Sequence, residues 1–450
     1  MKAISSKINY LDVKEFLESK YYNIVCVFFT FVFYAFGFNY VAAIFLFSII
    51  CLDLILIDDF MKPLLPFLLF TAIVLRKYAS FDYWVKLWPA GIFIIASLIT
   101  HFVRFPHKLN CSKMIFPTSA VAIAVTFGGL FSISAEEYFQ LTALYYVFGL
   151  GIGLVILYVL FRTYIDFKAD YVLNLTKTMV FYGMFLVLIL ALFYVENFEL
   201  LITDFSSFNN KLQMGNNLSA NLFYTIPFAF YYMRREEKPI RALLLGALEV
   251  IALFGTLSRG GIIMGLVMSP LYMIYIYKTN DKNLKIIMSI LLTIMLMGIV
   301  VLIAVKFDKI VSMLKVRSGE ARFGLFNYAI ECFKESPIFG KGLGAYGEYY
   351  YPKKGAMYWY HSTPFQVIGS LGSVGIIAYV YQFLFRVNLF RKRHYKFTSA
   401  LMLSFIGFEL LALVNPGDFC PLPYQLFMIL MFTVFEKECE KEEELEKVFI

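Results

Sequence analysis

The sequence has few charged residues for its length. Only 16% of its 450 residues are charged, whereas 60% are hydrophobic. No water-soluble fold hides that much apolar surface, so the soluble classes of protein are excluded. The formal net charge is +8. Because the lysines and arginines concentrate in the loops of one membrane side, this excess does not indicate a nucleic-acid partner.

Several chemical motifs are missing. The six cysteines include no C-x-x-C pair, and only Cys332 and Cys420 fall on the predicted outer side, so no disulfide framework is indicated. No phosphate-binding P-loop occurs, which excludes nucleotide hydrolysis. No group of His, Cys, Asp or Glu has metal-ligand spacing, and we predict neither a metal nor a cofactor. Energy must therefore come from an activated substrate or a gradient.

What the sequence does contain is a series of apolar stretches long enough to cross a bilayer. They predict an all-α polytopic membrane protein with about fourteen transmembrane helices, without internal repeats, as a single membrane domain over residues 1–450. The predicted spans are 21–38, 40–57, 63–76, 86–103, 115–131, 140–161, 175–195, 218–233, 241–257, 261–277, 284–306, 363–386, 397–414 and 422–435.

Basic residues in the short loops predict the orientation. With both termini in the cytoplasm, the loops on the inner side hold most lysines and arginines, including those of 233–241 and 387–396. No cleavable signal peptide is expected, because about twenty polar residues precede a long first span. The acidic segment 436–450 is interpreted as a solvated cytoplasmic tail or short helix without a function.

The longest polar interruption, residues 307–360, is predicted to be an extracytoplasmic loop. Within it, the spacing of Phe323, Phe326, Ile330 and Phe333 predicts a helix whose apolar stripe lies on the membrane or on other spans. Pro337 ends this helix, and Arg322 lies at the border between the buried stripe and the outer water. The following segment, "IFGKGLGAYGEYYY", contains Lys341 and Tyr346. Its glycines and aromatics suit a loop that stacks on sugar rings, or else an aromatic belt at the membrane interface.

Arg259, in "TLSRGGIIMG", is predicted to lie where one span turns into the next on the outer face. Ser258 can cap the following helix, and Gly260 and Gly261 then expose backbone N–H groups at the positive end of the helix dipole. Such a helix start binds anions, and arginine adds a bidentate fork for phosphate. The alternative is an arginine that only anchors the topology.

His361 is the one histidine of four that is predicted to face outward. It precedes "STPFQVIGSLGSVG", which has the features of a helix start, and a neutral imidazole can accept a proton from a sugar hydroxyl. A structural role is the alternative. Glu249 and Glu409 fall inside spans, where ionisable groups are costly; for Glu249 we favour a structural or supporting role over a proton relay.

The motifs around these residues together resemble the O-antigen ligase and polymerase family of bacterial membrane glycosyltransferases. The resemblance covers about residues 215–390 and depends on "SRGGIIMGL", "ARFGLFNYAIECFKESPIFGKGLGAYG" and "HSTPFQVIGSLGSVGIIAYV". The matching positions are Asn217, Ala220, Ser258, Arg259, Gly260, Arg322, Pro337, Gly340, Gly342, His361, Gly372 and Gly375. This chain departs from the family at Ser362, where many members have asparagine.

The resemblance implies a GT-C-like fold of the lipid-sugar glycosyltransferase type in the bacterial cytoplasmic membrane, with a metal-independent site on the extracytoplasmic side. It also implies an undecaprenyl-diphosphate-linked oligosaccharide donor and a glycan acceptor, with other polysaccharide assembly proteins as further expected partners. We predict His361, Arg322 and Arg259 as catalytic residues. The predicted substrate-binding residues are Arg259, Ser258, Gly260, Arg322, Asn217, Lys341 and Tyr346.

Three functions follow from this interpretation. We favour a polymerase of surface polysaccharide repeat units, such as O-antigen, capsule or exopolysaccharide, acting by one inverting displacement. A ligase would differ only in its acceptor, such as lipid A core or a wall glycan. A flippase or other secondary transporter explains the number of spans equally well, but it predicts charges within spans and symmetric halves.

Overall fold

A computed structural model of the chain describes residues 10–76, 86–212, 214–235, 239–278, 282–287, 289–290, 318–343, 360–391, 396–415, 417–419 and 424–448. All regular elements in these ranges are helical. This agrees with the predicted all-α fold class. Tyr346, most of the eleventh predicted span and two parts of the loop 307–360 lie outside the described residues.

The chain divides into two compact units, one formed by 1–109 with 163–218 and the other by 110–162 with 219–450. The helices that begin in the first unit are α1 Tyr10–Glu18, α2 Tyr22–Ala35, α3 Asn39–Leu56, α4 Leu64–Arg76, α5 Trp88–Arg104, α10 Tyr171–Glu196, α11 Phe198–Thr203, α12 Phe205–Lys211 and α13 Gly215–Met233. Helix α13 runs on into the second unit. In the first unit, α10 packs against α2 and α4, and α3 packs against α5.

The second unit contains the predicted functional residues apart from Asn217. Its helices are α6 Ile115–Phe127, α7 Ala135–Tyr138, α8 Leu141–Leu150, α9 Ile152–Tyr164, α14 Pro239–Gly255, α15 Arg259–Tyr277, α16 Ser318–Glu335, α17 Thr363–Arg391, α18 Lys396–Ala412 and α19 Leu426–Val448, with a 3₁₀ turn at Gly417–Phe419. Helix α17 is central: it packs against α6, α16 and the 3₁₀ turn, and Leu371 on it is fully buried.

Helices occur at the described parts of the predicted spans, but fewer of them are long enough to cross a membrane. Five described helical segments are sufficiently long and apolar, one of which, Ala143–Tyr164, combines α8 and α9. The number is six if the bent pair α1 and α2 counts as one span. Others, such as Trp88–Arg104 and Ile115–Phe127, are apolar but shorter. The length and composition of these helices are those of a multi-pass membrane protein. The total of fourteen transmembrane helices remains a prediction.

Helix α16 buries a different stripe from the predicted one. Phe323 and Ile330 are exposed, whereas Leu325, Ala329 and Cys332 are buried. The three buried residues are smaller than the phenylalanines, because this side of the helix packs closely against α17. The predicted helix is confirmed. Packing of the predicted stripe on other helices is wrong at Phe323 and Ile330, and its contact with the membrane stays a prediction.

The acidic C-terminal segment is not simply solvated. Helix α19 runs from the apolar region into this segment, and Glu436 is 3% exposed. The Glu436 carboxylate accepts hydrogen bonds from the Met114 amide (2.8 Å) and the Tyr158 hydroxyl (2.6 Å). Arg162 binds Glu440 at 2.8 Å. The helix interpretation was correct, but solvation was wrong at these two carboxylates, which join α19 to the start of α6 and the end of α9.

Candidate functional site

The start of helix α15 has the geometry of an anion-binding helix terminus. The Ser258 side chain accepts a hydrogen bond from the Gly261 amide at 3.1 Å and caps the helix. A Cβ atom on Gly261 would lie 2.7 Å from the Ser219 Cβ, so only glycine allows α13 to pack this closely. Arg259 is half-buried at the first helical position. The predicted N-cap is confirmed, and the dipole of a 19-residue helix ends at Arg259.

A second segment reaches this helix start from the end of α18. A Cβ atom on Gly260 would lie 3.0 Å from the Cγ2 atom of Val414. Val414 is followed within a few residues by the 3₁₀ turn Gly417–Phe419, which packs against both α17 and α18. The turn therefore connects the start of α15 with the start of α17.

Asp418 in this 3₁₀ turn is a buried acid that the sequence analysis did not single out. It is 4% exposed and accepts a hydrogen bond from the Gln425 side chain at 2.8 Å. Burial raises the pKa of Asp418, while the Arg386 guanidinium, Gln425 and the neighbouring Thr363 hydroxyl lower it in part. Arg386 lies 3.9 Å from Glu409. The turn thus brings a buried carboxyl group beside the first residue of α17.

The positions of Asp418 and Arg386 gave little signal in the sequence. The last turn of α17 and the whole of α18 separate the two residues in the chain. Each resembles an isolated charge near the end of an apolar stretch. Buried charges need partners, so a search for oppositely charged residues in consecutive spans could have found them. The sequence identifies Glu409 as an intramembrane acid but does not identify Arg386 as its partner.

His361 precedes α17 in a left-handed backbone conformation. Its φ angle is +53°, a region that few residues other than glycine adopt but in which histidine, asparagine and aspartate are enriched, and its side chain is exposed. The adjoining Tyr360 is buried, and its amide donates to the Gln366 side chain at 3.0 Å. Gln366 in turn donates to Ser370 at 3.0 Å. These bonds fix the chain on both sides of His361.

Helices α16 and α17 run side by side in the same direction. Phe326 stacks on Phe365 with ring centroids 4.2 Å apart and an interplanar angle of 6°. Arg322 lies four residues before Phe326, and His361 lies four residues before Phe365. The backbone therefore places Arg322 and His361 at the same end of this helix pair.

Helix α17 is broken at Gly372, where φ is +61° and ψ is −151°. The turn Pro337–Leu343, which follows α16, fills the break. The amides of Lys341 and Gly342 donate to the carbonyls of Gly369 and Ser370, both at 2.9 Å, which satisfies two carbonyl groups that the break leaves open.

The amides beyond the break are satisfied by the same turn. Those of Ser373 and Val374 donate to Pro337 and Ile338, at 2.8 and 3.1 Å. A Cβ atom on Gly372 would lie 2.7 Å from the Gly340 nitrogen, and one on Gly340 would lie 2.4 Å from the Ser370 carbonyl carbon. The two glycine motifs of the family resemblance thus pack on each other.

The remaining predicted site residues have mixed outcomes. Lys341 forms an ion pair with Glu335 at 2.7 Å, so it has a structural partner besides its predicted substrate. Asn217 is half-buried in the first turn of α13 and belongs to the first unit. Tyr346 lies outside the described residues, as does the Arg322 side chain.

The residues in the second unit supply two kinds of chemistry. The N–H groups and the arginine at the start of α15 can hold a phosphate or diphosphate. An exposed imidazole at the start of α17 can accept a proton. No group of three or more His, Cys, Asp or Glu side chains that could hold a metal occurs in the described part of the chain.

Comparison with protein-family models matches part of the second unit. The model of the family described as O-antigen ligase matches residues 242–380. No curated protein and no solved structure matches the chain significantly. The matched range begins in α14, contains α15 and α16, and ends in α17 beyond Gly372. It therefore contains Arg259, Arg322 and His361, and it supports the resemblance to the O-antigen ligase and polymerase family that the sequence motifs indicate.

Proposed function

We propose that this protein transfers a polyprenyl-diphosphate-linked glycan to an acceptor sugar hydroxyl on the outer face of the bacterial cytoplasmic membrane. The family supports glycan transfer in general terms. The observation that carries the finer proposal is the capped start of α15, where Ser258, Arg259 and Gly260 form an anion site joined by the 3₁₀ turn to the start of α17.

Arg259 and Arg322 act on the donor in this mechanism. As the bond between the anomeric carbon and the diphosphate oxygen breaks, negative charge grows on the diphosphate. The two guanidinium groups and the N–H groups at the start of α15 stabilise that charge. Each charge-assisted hydrogen bond contributes about 1.5 to 3 kcal/mol. Diphosphate is a good leaving group, so it departs without a general acid.

His361 acts on the acceptor. Its neutral imidazole accepts the proton of the attacking hydroxyl while that oxygen forms the new bond to the anomeric carbon. A single displacement from the face opposite the diphosphate inverts the anomeric configuration. Exposure of His361 next to a buried, hydrogen-bonded Tyr360 supports this role, because the side chain can meet substrate while its backbone stays fixed.

We favour polymerisation, in which the acceptor is another lipid-linked repeat unit. The family description favours ligation to a separate acceptor as the second candidate. The two reactions use the same donor chemistry and differ in the acceptor. The described residues around His361 fit either one.

The products of a purified system test the proposal. Protein in liposomes is given a lipid-linked repeat unit alone, and then the same donor with a separate glycan acceptor. Polymerisation predicts lipid-linked oligomers and free polyprenyl diphosphate from the donor alone. Ligation predicts diphosphate release only when the second acceptor is present. An intact donor in both mixtures would contradict glycan transfer.

A further inference from the structure

The segment Gly128–Ser134, which links α6 to α7, is bound to the turn that fills the break in α17. The Gly129 amide donates to the Phe339 carbonyl at 2.7 Å, and the hydroxyl oxygens of Ser132 and Ser336 are 2.6 Å apart. The aromatic rings of Phe131 and Phe339 meet edge to face at 6.2 Å. The proposed mechanism does not use this segment, which lies outside the family match.

The contact at Gly129 is too close for any other residue. Its φ angle is +82°, and a Cβ atom there would lie 2.7 Å from the Gly342 Cα atom and 2.9 Å from the Gly342 nitrogen. The neighbouring Gly128 packs closely on α17, since its Cβ atom would lie 2.5 Å from the Cδ2 atom of the Leu371 side chain. The segment thus touches the turn through rigid backbone at Gly129 and touches α17 through the Leu371 side chain.

A short series of contacts leads from this segment to His361. The turn donates hydrogen bonds to the carbonyl groups of Gly369 and Ser370 at the break. A Cβ atom on Gly369 would lie 2.8 Å from the Tyr360 ring, and Tyr360 is the residue before His361. A shift of the turn must therefore move the first half of α17 together with the backbone that carries His361.

We infer that Gly128–Ser134 is a positioning segment for His361, and we call it the 128–134 clamp. It holds the turn Pro337–Leu343 in the break of α17. This turn then fixes the position of the first half of α17, residues 363–371, along the helix axis. The inference rests on the proposed function, because it assumes that His361 meets the acceptor. The clamp acts through the placement of His361 and does not touch the donor.

Two glycines provide a matched test. Gly129 and Gly37 both have positive φ angles, +82° and +79°, but a Cβ atom on Gly37 would meet nothing within 4 Å. Gly129→Ala should lower kcat by about a hundredfold, since displacing a catalytic group by about 1 Å costs that much. Donor affinity should stay within about twofold. Gly37→Ala imposes the same backbone strain and should leave kcat unchanged.

A disulfide between positions 132 and 336 can restore the contact between the 128–134 clamp and the end of α16. Replacing Ser132 and Ser336 by cysteine in the Gly129→Ala protein should permit this disulfide, because their hydroxyl oxygens are already in contact. Oxidation should restore kcat by about tenfold, and a reductant should remove the gain. With Gly129 intact, the oxidised pair should keep wild-type kcat, and each single cysteine variant serves as a control.

A milder variant covers the case in which Gly129→Ala does not fold. Ser132→Ala removes only the bond to Ser336 and should lower kcat by roughly two- to tenfold at unchanged donor affinity. The inference fails if wild type transfers glycan but Gly129→Ala and Ser132→Ala match Gly37→Ala, or if the oxidised pair stops the intact protein. If the wild-type protein itself does not transfer glycan, the proposed function is contradicted instead.

Discussion

Arg259 and Arg322 are the residues on which donor binding depends in the proposed mechanism. Replacing either with alanine should weaken donor binding by at least about tenfold, because each guanidinium contributes charge-assisted hydrogen bonds. Lysine at either position should restore little donor binding, since it lacks the planar guanidinium that binds phosphate through two hydrogen bonds. Titration of the lipid diphosphate donor against purified variants measures this.

Arg241 is a suitable control for the arginine variants. It is an exposed arginine in the first turn of α14, the helix that precedes α15. Arg241→Ala changes the net charge by the same amount and should leave donor binding intact. Wild-type binding in the two lysine variants would show that charge alone, or nothing specific, is required.

His361 should control transfer and not donor binding. The left-handed backbone at this position makes His361→Asn a better test than alanine, because asparagine tolerates that conformation. Transfer should be lost while donor affinity remains. In the wild type, the rate should fall toward acid pH, since a protonated ring cannot accept a proton.

The pH profile separates this role from phosphate binding. If His361 only bound phosphate, the asparagine variant would bind donor weakly and wild-type activity would hold or rise toward acid pH. His107→Asn, on the exposed histidine that binds Asp58 at 2.8 Å, is the matched control and should change neither quantity.

Among the elements, the start of α15 depends on one cap. Ser258→Ala should destabilise the protein by about 0.5 to 2 kcal/mol, because the Gly261 amide loses its acceptor. It should also weaken donor binding, because the proposed diphosphate site loses the hydrogen bond that holds the helix start in place. Threonine should restore both. Aspartate should restore stability only, since its carboxylate caps the helix but repels diphosphate. Thermal unfolding and donor titration, run together, distinguish capping from anion binding.

Ser134→Ala is a control for the effect of removing a cap. Ser134 caps α7, and its side chain accepts from the Glu137 amide at 3.2 Å. Its loss should lower stability without changing donor affinity. If Ser258→Asp bound the donor as wild type does, the helix start would not be the diphosphate site.

The C-terminal helix α19 should respond to pH through Glu436. Burial raises the pKa of Glu436, while hydrogen bonds from Tyr158 and the Met114 amide lower it in part. A raised pKa means that folding favours the protonated carboxyl. Its stabilising contribution is therefore complete below the usual value of 4.5 and is lost as pH rises through the raised pKa.

Glu436→Gln should remove this part of the pH dependence. The melting temperature of wild type should fall as pH rises above 4.5, while the variant should show a flatter profile because its amide does not ionise. Glu438→Gln, on the same helix, is the control. Parallel profiles for Glu436→Gln and wild type would contradict a pH-dependent contribution from this contact.

The sequence predicted local structure better than contacts between distant segments. Ser258 as a cap, Pro337 after a helix and the helix start after His361 follow from local chemistry, and the structure agrees with each. The face of α16 that packs on other helices is not the predicted stripe, because residue size at a close helix contact outweighs hydrophobicity. The 128–134 clamp could not be predicted, since it joins segments about two hundred residues apart and contains no charged residue.

At the scale of the whole molecule, the buried charged residues test the alternative that this protein is a transporter, which predicts charges within spans. Asp53, Glu249 and Arg386 are all buried in helices of the described chain, so charges within apolar helices are more frequent than the sequence suggested. Thr225 donates to Glu249 at 2.7 Å. Arg386 faces Glu409 at 3.9 Å. The Tyr22 hydroxyl donates to Asp53. These partners give all three charged residues structural contacts, and the family match supports glycan transfer.

Contacts in the second unit are consistent with the predicted topology. The segments near 129, 260, 340, 361 and 418, all predicted to be outside, are joined by the contacts of the candidate site. Residues near 114, 162 and 436, all predicted to be inside, are joined by the contacts of α19. Labelling of introduced cysteines with an impermeant reagent should reach position 320 and spare position 237 in intact cells.

Transfer in detergent solution is the most direct test of the central claim, because no gradient and no separate compartments exist there. Purified protein is mixed with a labelled polyprenyl-diphosphate glycan and its acceptor, without metal or nucleotide. We predict a new glycoside with inverted anomeric configuration and one equivalent of polyprenyl diphosphate, neither of which His361→Asn should form. An intact donor in detergent, together with protein-dependent movement of that donor across liposome membranes, would contradict the account and identify a transporter.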